Sequence, residues 1–142
     1  MRAALVTHPL NADALLREVA SPDRGATALF VGTVRRVNEG REVLAIEYTA
    51  YEAMAQLEMA TILDEAGQRN GGAFLVAEHR LGLLNVGEAS IAIAAAHGHR
   101  GCALDALRYA IDEIKQRVPI WKRELFADGS ESWVDPTRVA PT

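Results

Sequence analysis

The order of elements after Glu42 constrains the fold of this chain more than any other feature. "EVLAIEY" (42–48) is apolar and β-branched enough for a strand, and Tyr51 to Arg69 is a run rich in Ala, Met, Leu and Glu that reads as a long helix ending before "NGG". "AFLVAEHRLG" and "ASIAIAAAHG" read as two strands joined around "LLNVGE". A helix from about Arg100 to Gln116 stops ahead of Pro119, and the strand "IWKRELFAD" then turns at Asp128-Gly129 into "ESWV". Strand, helix, strand, strand, helix, strand is the split βαβ order of ferredoxin-like domains, which predicts an antiparallel sheet with both helices on one face. Upstream, Ala3 to Thr7 reads as a short strand, "NADALLREVA" as a helix capped by Asn11, and Ala26 to Arg35 as a strand in which Gly32 marks a bulge or a close backbone approach. The strands before Glu42 and after Asp128 would form a second small sheet or lengthen the first.

At 142 residues and 49% hydrophobic, the chain is sized for one domain, taken as 1–142. Its 15 Lys+Arg against 19 Asp+Glu give a formal charge of −4, so nothing global attracts nucleic acid or an anionic membrane and cations matter only where they cluster. A single cysteine, Cys102, excludes an internal disulfide framework, and no apolar run approaches the ~18 residues of a membrane span. The expectation is a soluble, cytoplasmic protein.

Four clusters could carry chemistry. On the helix "GCALDALRYAIDEIK", Ala103, Leu107, Ala110, Ile111, Ile114 and Val118 fall on one stripe, with Lys115 at its shoulder. Lys115 either snorkels into water or, if the chain reversal at Pro119 returns Lys122 toward it, shares a partly desolvated pocket in which one lysine becomes a base or nucleophile near neutral pH. In "IWKRELFA", alternation sets Ile120, Lys122, Glu124 and Phe126 against Trp121, Arg123, Leu125 and Ala127. The strand is either a charged edge or a site wall, in which Trp121 would shield charge and Glu124 would orient a cation. "HGHRG" (97–101) opens a helix, where free N–H groups, His99 and Arg100 suit an anion such as phosphate. His97-x-His99 lacks a third ligand at comparable spacing, and no metal is expected. In "GTVRRVNEGR", Arg35, Arg36 and Arg41 are either solvated or clamp a phosphate, and Arg35 or Arg36 could point inward.

The segments "FVGTVR", "YTAYEAMA", "EHRLGLLNVGEASI", "HGHRGCALDALRYAIDEIK" and "PIWKRE…DGSESWV" together resemble the MoaE family, the catalytic (large) subunits of molybdopterin synthase, over residues 25–134. The resemblance implies an α+β fold, an α/β hammerhead that contains the ferredoxin-like part with a small additional β subdomain. It implies a homodimer with one small ubiquitin-like sulfur carrier docked at each end, a heterotetramer in which the carrier's C-terminal Gly-Gly thiocarboxylate gives sulfur to cyclic pyranopterin monophosphate. Two transfers build the molybdopterin dithiolene, and no cofactor is expected beyond that protein thiocarboxylate. The family's catalytic lysines fall on Lys115 and Lys122, and its substrate-binding residues on Thr33, Val34, Arg35, His99, Arg100, Arg123 and Glu124, with the His-Arg pair entering from the neighbouring subunit. The chain departs from the family at Thr49, where an acidic residue is more usual, and its tail after Val134 is short. Two other readings of the residues are a non-catalytic ferredoxin-like module that binds a phosphorylated ligand, and an enzyme forming a lysine Schiff base with a carbonyl substrate.

Overall fold

The computed structural model describes residues 1–134, so the tail after Val134 lies outside the described residues. Its elements are β1 (Arg2–Val6), α1 (Ala12–Val19), β2 (Ala26–Thr33), β3 (Val37–Asn38), β4 (Arg41–Ala50), α2 (Glu52–Arg69), β5 (Phe74–Arg80), β6 (Gly82–Asn85), β7 (Ala89–His97), α3 (Arg100–Arg117), β8 (Ile120–Phe126) and β9 (Glu131–Val134). The mixed α+β class expected from the sequence is what forms.

Two sheets divide the strands. The first has the order β1-β5-β7-β2, with β1 parallel to β5 and the other pairs antiparallel. From Phe74 to Ala77 in β5 and from Ile91 to Ala96 in β7 the side chains are apolar on both faces because both faces are covered. Leu75, Ala77, Ile91, Ile93 and Ala95 pack beneath α2 and α3 together with Met59, Ile62, Leu63, Ala110 and Ile114. Val76, Ala92, Ala94 and Ala96 meet Leu15 and Val19 of α1 on the other side. Asn11 caps α1 as expected, its side-chain oxygen accepting from Ala14 N at 3.1 Å.

The second sheet has the order β3-β4-β8-β9, with β6 also paired to β4. Both long helices lie on one face of the first sheet, as the element order predicts. The expectation of one antiparallel sheet from the four strands of that order is corrected: β5 and β7 pair in the first sheet, while β4 and β8 pair with each other in the second. β1 and β2 complete the first sheet, and β1 joins it parallel. Two connections read as loops also carry short strands, β3 within "RVNEGR" and β6 within "LGLLN".

Two local features aim the chain at the region between the sheets. The β2–β7 register shifts between Gly32 and Thr33, and a Cβ on Gly32 would stand 2.9 Å from Ile91 Cγ2, so both a bulge and a close approach occupy that glycine. At the end of α3, Val118 N–H closes on Ile114 O at 3.1 Å before Pro119 turns the chain, and Ile120 enters β8 beside Ala50 of β4. That reversal sets Lys122 beside the last turn of α3.

Candidate active site

Alternation along the antiparallel pair β4–β8 builds one wall of a cavity. Ile46 faces Glu124, Tyr48 faces Lys122 and Ala50 faces Ile120, so these six side chains share a face. α3 supplies Ile111, Ile114 and Lys115, the end of β2 supplies Phe30, Thr33 and then Arg35, and β5 and β7 supply His79, Ser90 and Ile91. The enclosed volume is about 370 Å³. An apolar lining with a few convergent polar groups is the usual form of a small-molecule site.

Three cations meet one carboxylate here. Glu124 is 3% exposed, takes the Asn38 amide on its two oxygens at 2.9 and 3.0 Å, and stands 3.6 Å from Lys122 Nζ. Arg35 Nη2 donates to Asn38 Oδ1 at 3.4 Å. Lys115 has no carboxylate within ion-pair distance among the described residues. Its ammonium is held below the ordinary lysine value by burial first, then by Lys122 and by Arg35. The residue as a whole is exposed at the cavity mouth, so solvent moderates that shift. A lysine with a lowered affinity for its proton, beside cations fit for an anionic ligand, is more readily deprotonated to move a proton or attack an electrophile.

The structure thus brings Lys115, Lys122, Thr33, Arg35 and Glu124 into one cavity. Arg35 rather than Arg36 is the arginine that lines it. Val34 is buried beneath the rim, its N–H donating to Glu88 O at 3.0 Å and its carbonyl accepting from Gly87 N at 2.8 Å. Arg123 lies on the opposite face of β8, 2.9 Å from Glu47 and 3.5 Å from Glu131, with Trp133 beneath its guanidinium. Trp121 shares that opposite face and meets Tyr51 edge-on at 4.8 Å. The expected shielding of Lys122 by Trp121 is therefore corrected, and the side chains that share the cavity face with Lys122 are Ile120 and Tyr48. Thr49 is exposed and pairs with Trp121, away from the cavity.

His99 and Arg100 stand at the other end of α3. Fifteen residues of helix separate Arg100 from Lys115, about 22 Å at 1.5 Å per residue, and neither His99 nor Arg100 lines the cavity that holds Lys115. At that end His97 Nε2 reaches Gly71 O at 3.0 Å while its Nδ1 accepts from His99 N at 2.9 Å, which fixes the corner. Both ring nitrogens of His97 are thereby committed to the backbone. Cys102 lies beside Gly71 in the same corner.

The sequence reading missed the cavity floor, made by Tyr48, His79 and Ser90. His79 has the same strand parity as Leu75 and Ala77, which was the available signal that it points under α3. Burial pushes its imidazole down to about 4, with the hydrogen bond to the Arg80 carbonyl opposing and the Lys115 charge adding. Unfolded, the ring titrates near 6.5, so between pH 6.5 and 4 the unfolded chain takes up a proton that the folded chain refuses. Stability from this residue therefore falls as pH falls through that window, by about 1.4 kcal/mol per unit and ~3 kcal/mol in all. Urea unfolding of wild type and His79→Gln at pH 7 and pH 4.5 is expected to show the variant losing about 2 kcal/mol less on acidification. Equal losses would contradict a neutral buried ring.

A lysine-centred, cation-lined cavity between two sheets has the form of a small-molecule site suited to an anion. The chain belongs to the MoaE family, whose profile, described as "MoaE protein", matches residues 5–117. It is 44% identical over 124 residues to the molybdopterin synthase catalytic subunit of Bos taurus, covering 87% of this chain and 66% of that one. The crystal structure of molybdopterin synthase from Staphylococcus aureus superposes with a TM-score of 0.87 at 33% identity, covering 92% and 94% of the two chains. A complex of subunits 1 and 2 of the molybdopterin-converting factor from Helicobacter pylori 26695 has the same fold, with a TM-score of 0.75 at 22% identity over 96% and 90%.

Proposed function

We propose that this chain is the catalytic subunit of a molybdopterin synthase, a sulfurtransferase acting in the cytoplasm on cyclic pyranopterin monophosphate. The observation that carries the reading is Lys115, without a carboxylate partner among the described residues and with its ammonium disfavoured by burial, facing Lys122 and Arg35 across one cavity. A phosphate on the substrate calls for Arg35 and Lys122, and sulfur transfer to a carbon centre calls for proton transfer together with a neutralised leaving oxygen. The geometry divides these duties. Lys122 is tied to Glu124 and serves as the fixed cation, whereas Lys115 is free to act as acid/base or covalent group. Thr33 adds a hydroxyl at the rim.

Sulfur arrives as the C-terminal thiocarboxylate of a small ubiquitin-like carrier, which hydrolysis by water leaves as a carboxylate after each of two transfers; sulfur keeps its oxidation state, so the step calls for no redox cofactor. The open mouth beside Lys115 is where an extended Gly-Gly terminus would enter. Among the described residues no group of three or more His, Cys, Asp and Glu could hold a metal, and no helix is long and apolar enough to cross a membrane. The catalytic unit is a homodimer, extended to a heterotetramer by two carriers, in which His99 and Arg100 of one subunit complete the cavity of the other. What supports this is the helix N-terminus at that corner, which suits an anion, and its ~22 Å separation from Lys115 within one chain.

The direct test mixes the protein with a thiocarboxylated carrier and cyclic pyranopterin monophosphate and follows the dithiolene product after oxidation to its fluorescent form. Product dependent on both components is expected. Borohydride trapping of Lys115 by a phosphorylated aldehyde, with no response to the carrier, would instead favour a Schiff-base enzyme.

A further inference from the structure

The cavity holds three cations, and the acceptors it leaves open to a ligand are hydroxyl oxygens of Thr33, Tyr48 and Ser90 and one ring nitrogen. Arg35, Lys122 and the ammonium form of Lys115 can only donate hydrogen bonds. The Glu124 oxygens are taken by Asn38 and Lys122, the Asn38 oxygen faces Arg35, and the Ser90 hydroxyl donates to Gly32 O at 3.3 Å. His79 stands apart from all of these. It is 7% exposed, it lines the floor, and its Nδ1 lies 2.9 Å from the Arg80 carbonyl. A carbonyl oxygen can only accept, so Nδ1 carries the hydrogen and Nε2 keeps a lone pair. No described residue donates to that nitrogen. The edge of Tyr48, 5.1 Å away at 68°, holds the ring in place. Burial and the nearby Lys115 charge keep the ring neutral, so the lone pair persists at neutral pH.

We infer that His79 is a specificity-determining residue, whose Nε2 accepts a hydrogen bond from a ring N–H or amino group of a phosphorylated heterocycle while the cations above it take the phosphate. This deepens the proposed pterin-phosphate reading and rests on it. A ligand that offers phosphate alone satisfies the cations and leaves the floor unpaired. A heterocycle without a donor edge would bury the Nε2 lone pair with no partner, which is the costly case and therefore the discriminating one.

Two substitutions separate this role from a structural one. The His79→Gln amide reaches to the place of Nε2 and can accept there. The shorter His79→Asn amide reaches only to the place of Nδ1, so it can restore the bond to the Arg80 carbonyl but offers nothing to a ligand. Binding of cyclic pyranopterin monophosphate is measured by calorimetry without carrier, with inorganic phosphate as the second probe and thermal melting as the fold control. The expected result is that His79→Gln binds the pterin within about threefold of wild type, that His79→Asn binds about tenfold more weakly, and that phosphate binds all three alike. In the wild-type protein, the Nε2 nitrogen resonance is expected to move upfield on adding the pterin and to stay in place on adding phosphate, a readout that needs no variant. Asn binding as tightly as Gln, or an unmoved Nε2 resonance with pterin bound, overturns the inference while the proposed reaction stands. A wild type that binds no pterin removes both.

Discussion

Lys115→Ala is expected to lower turnover about a thousandfold or more while leaving the fold intact. The two halves of that expectation have separate origins. Lys115 is exposed at the shoulder of α3 and makes no ion pair among the described residues, whereas Ala106, Ala110 and Ile114 carry the buried face, so truncation removes little packing and places a good helix former on an open surface. A stability change within about 0.5 kcal/mol follows from that position. The lost turnover follows from removing a cavity lysine that has no carboxylate partner among the described residues and whose ammonium burial disfavours. Dithiolene formation and urea unfolding of the same preparation check the two halves together. Near-normal turnover would sink the assignment of Lys115, and a collapsed melting transition would return it to a structural role. Residual activity in Lys122→Ala carries a further sign. Removing a neighbouring cation favours the Lys115 ammonium, so the acid limb of the pH–rate profile should move to higher pH.

How much of this was legible in the chain depends on whether a feature is local. The apolar stripe of α3 placed Lys115 at its shoulder, and the parity of "IWKRELFA" placed Lys122 and Glu124 with Ile120 and Phe126, because one helix or one strand determines its own faces. The same parity already put Trp121 on the far side, so its assignment to the Lys122 wall contradicted the strand's own alternation. Pairing is another matter. Nothing in "EVLAIEY" tells whether β4 lies beside β7 or beside β8, since each choice buries the same face, and the separation into two sheets is decided by contacts distant in sequence. β3 and β6, two and four residues long, are too short to show a period. Parity with Leu75 and Ala77 marked the face of His79, but a lone histidine on a core face shows no functional role until the helix above it and the lysine beside it are placed. Arg35 and Arg36 could be separated only once the bulge at Gly32 had set which of them faces inward.

The separation along α3 leads to the second large expected effect, recovery of activity from two inactive proteins. If Arg100 serves the partner's cavity, Arg100→Ala and Lys115→Ala remove different components of the same composite site, each from a different chain. In a mixed dimer one cavity then carries both defects and the other carries neither. Random exchange of subunits in a two-fold dimer makes half the dimers mixed, so about a quarter of all cavities become intact and turnover should rise from background to about a quarter of wild type. Were Arg100 to serve its own chain's Lys115, every cavity in the mixture would remain defective and no rise could occur. Refolding the two variants together, confirming mixed dimers by mass, and assaying dithiolene product distinguishes the cases. Mixed dimers that stay inactive would confine Arg100 to its own chain's site, whereas recovery cannot be produced by any arrangement confined to one chain, because every chain in the mixture carries one of the two defects.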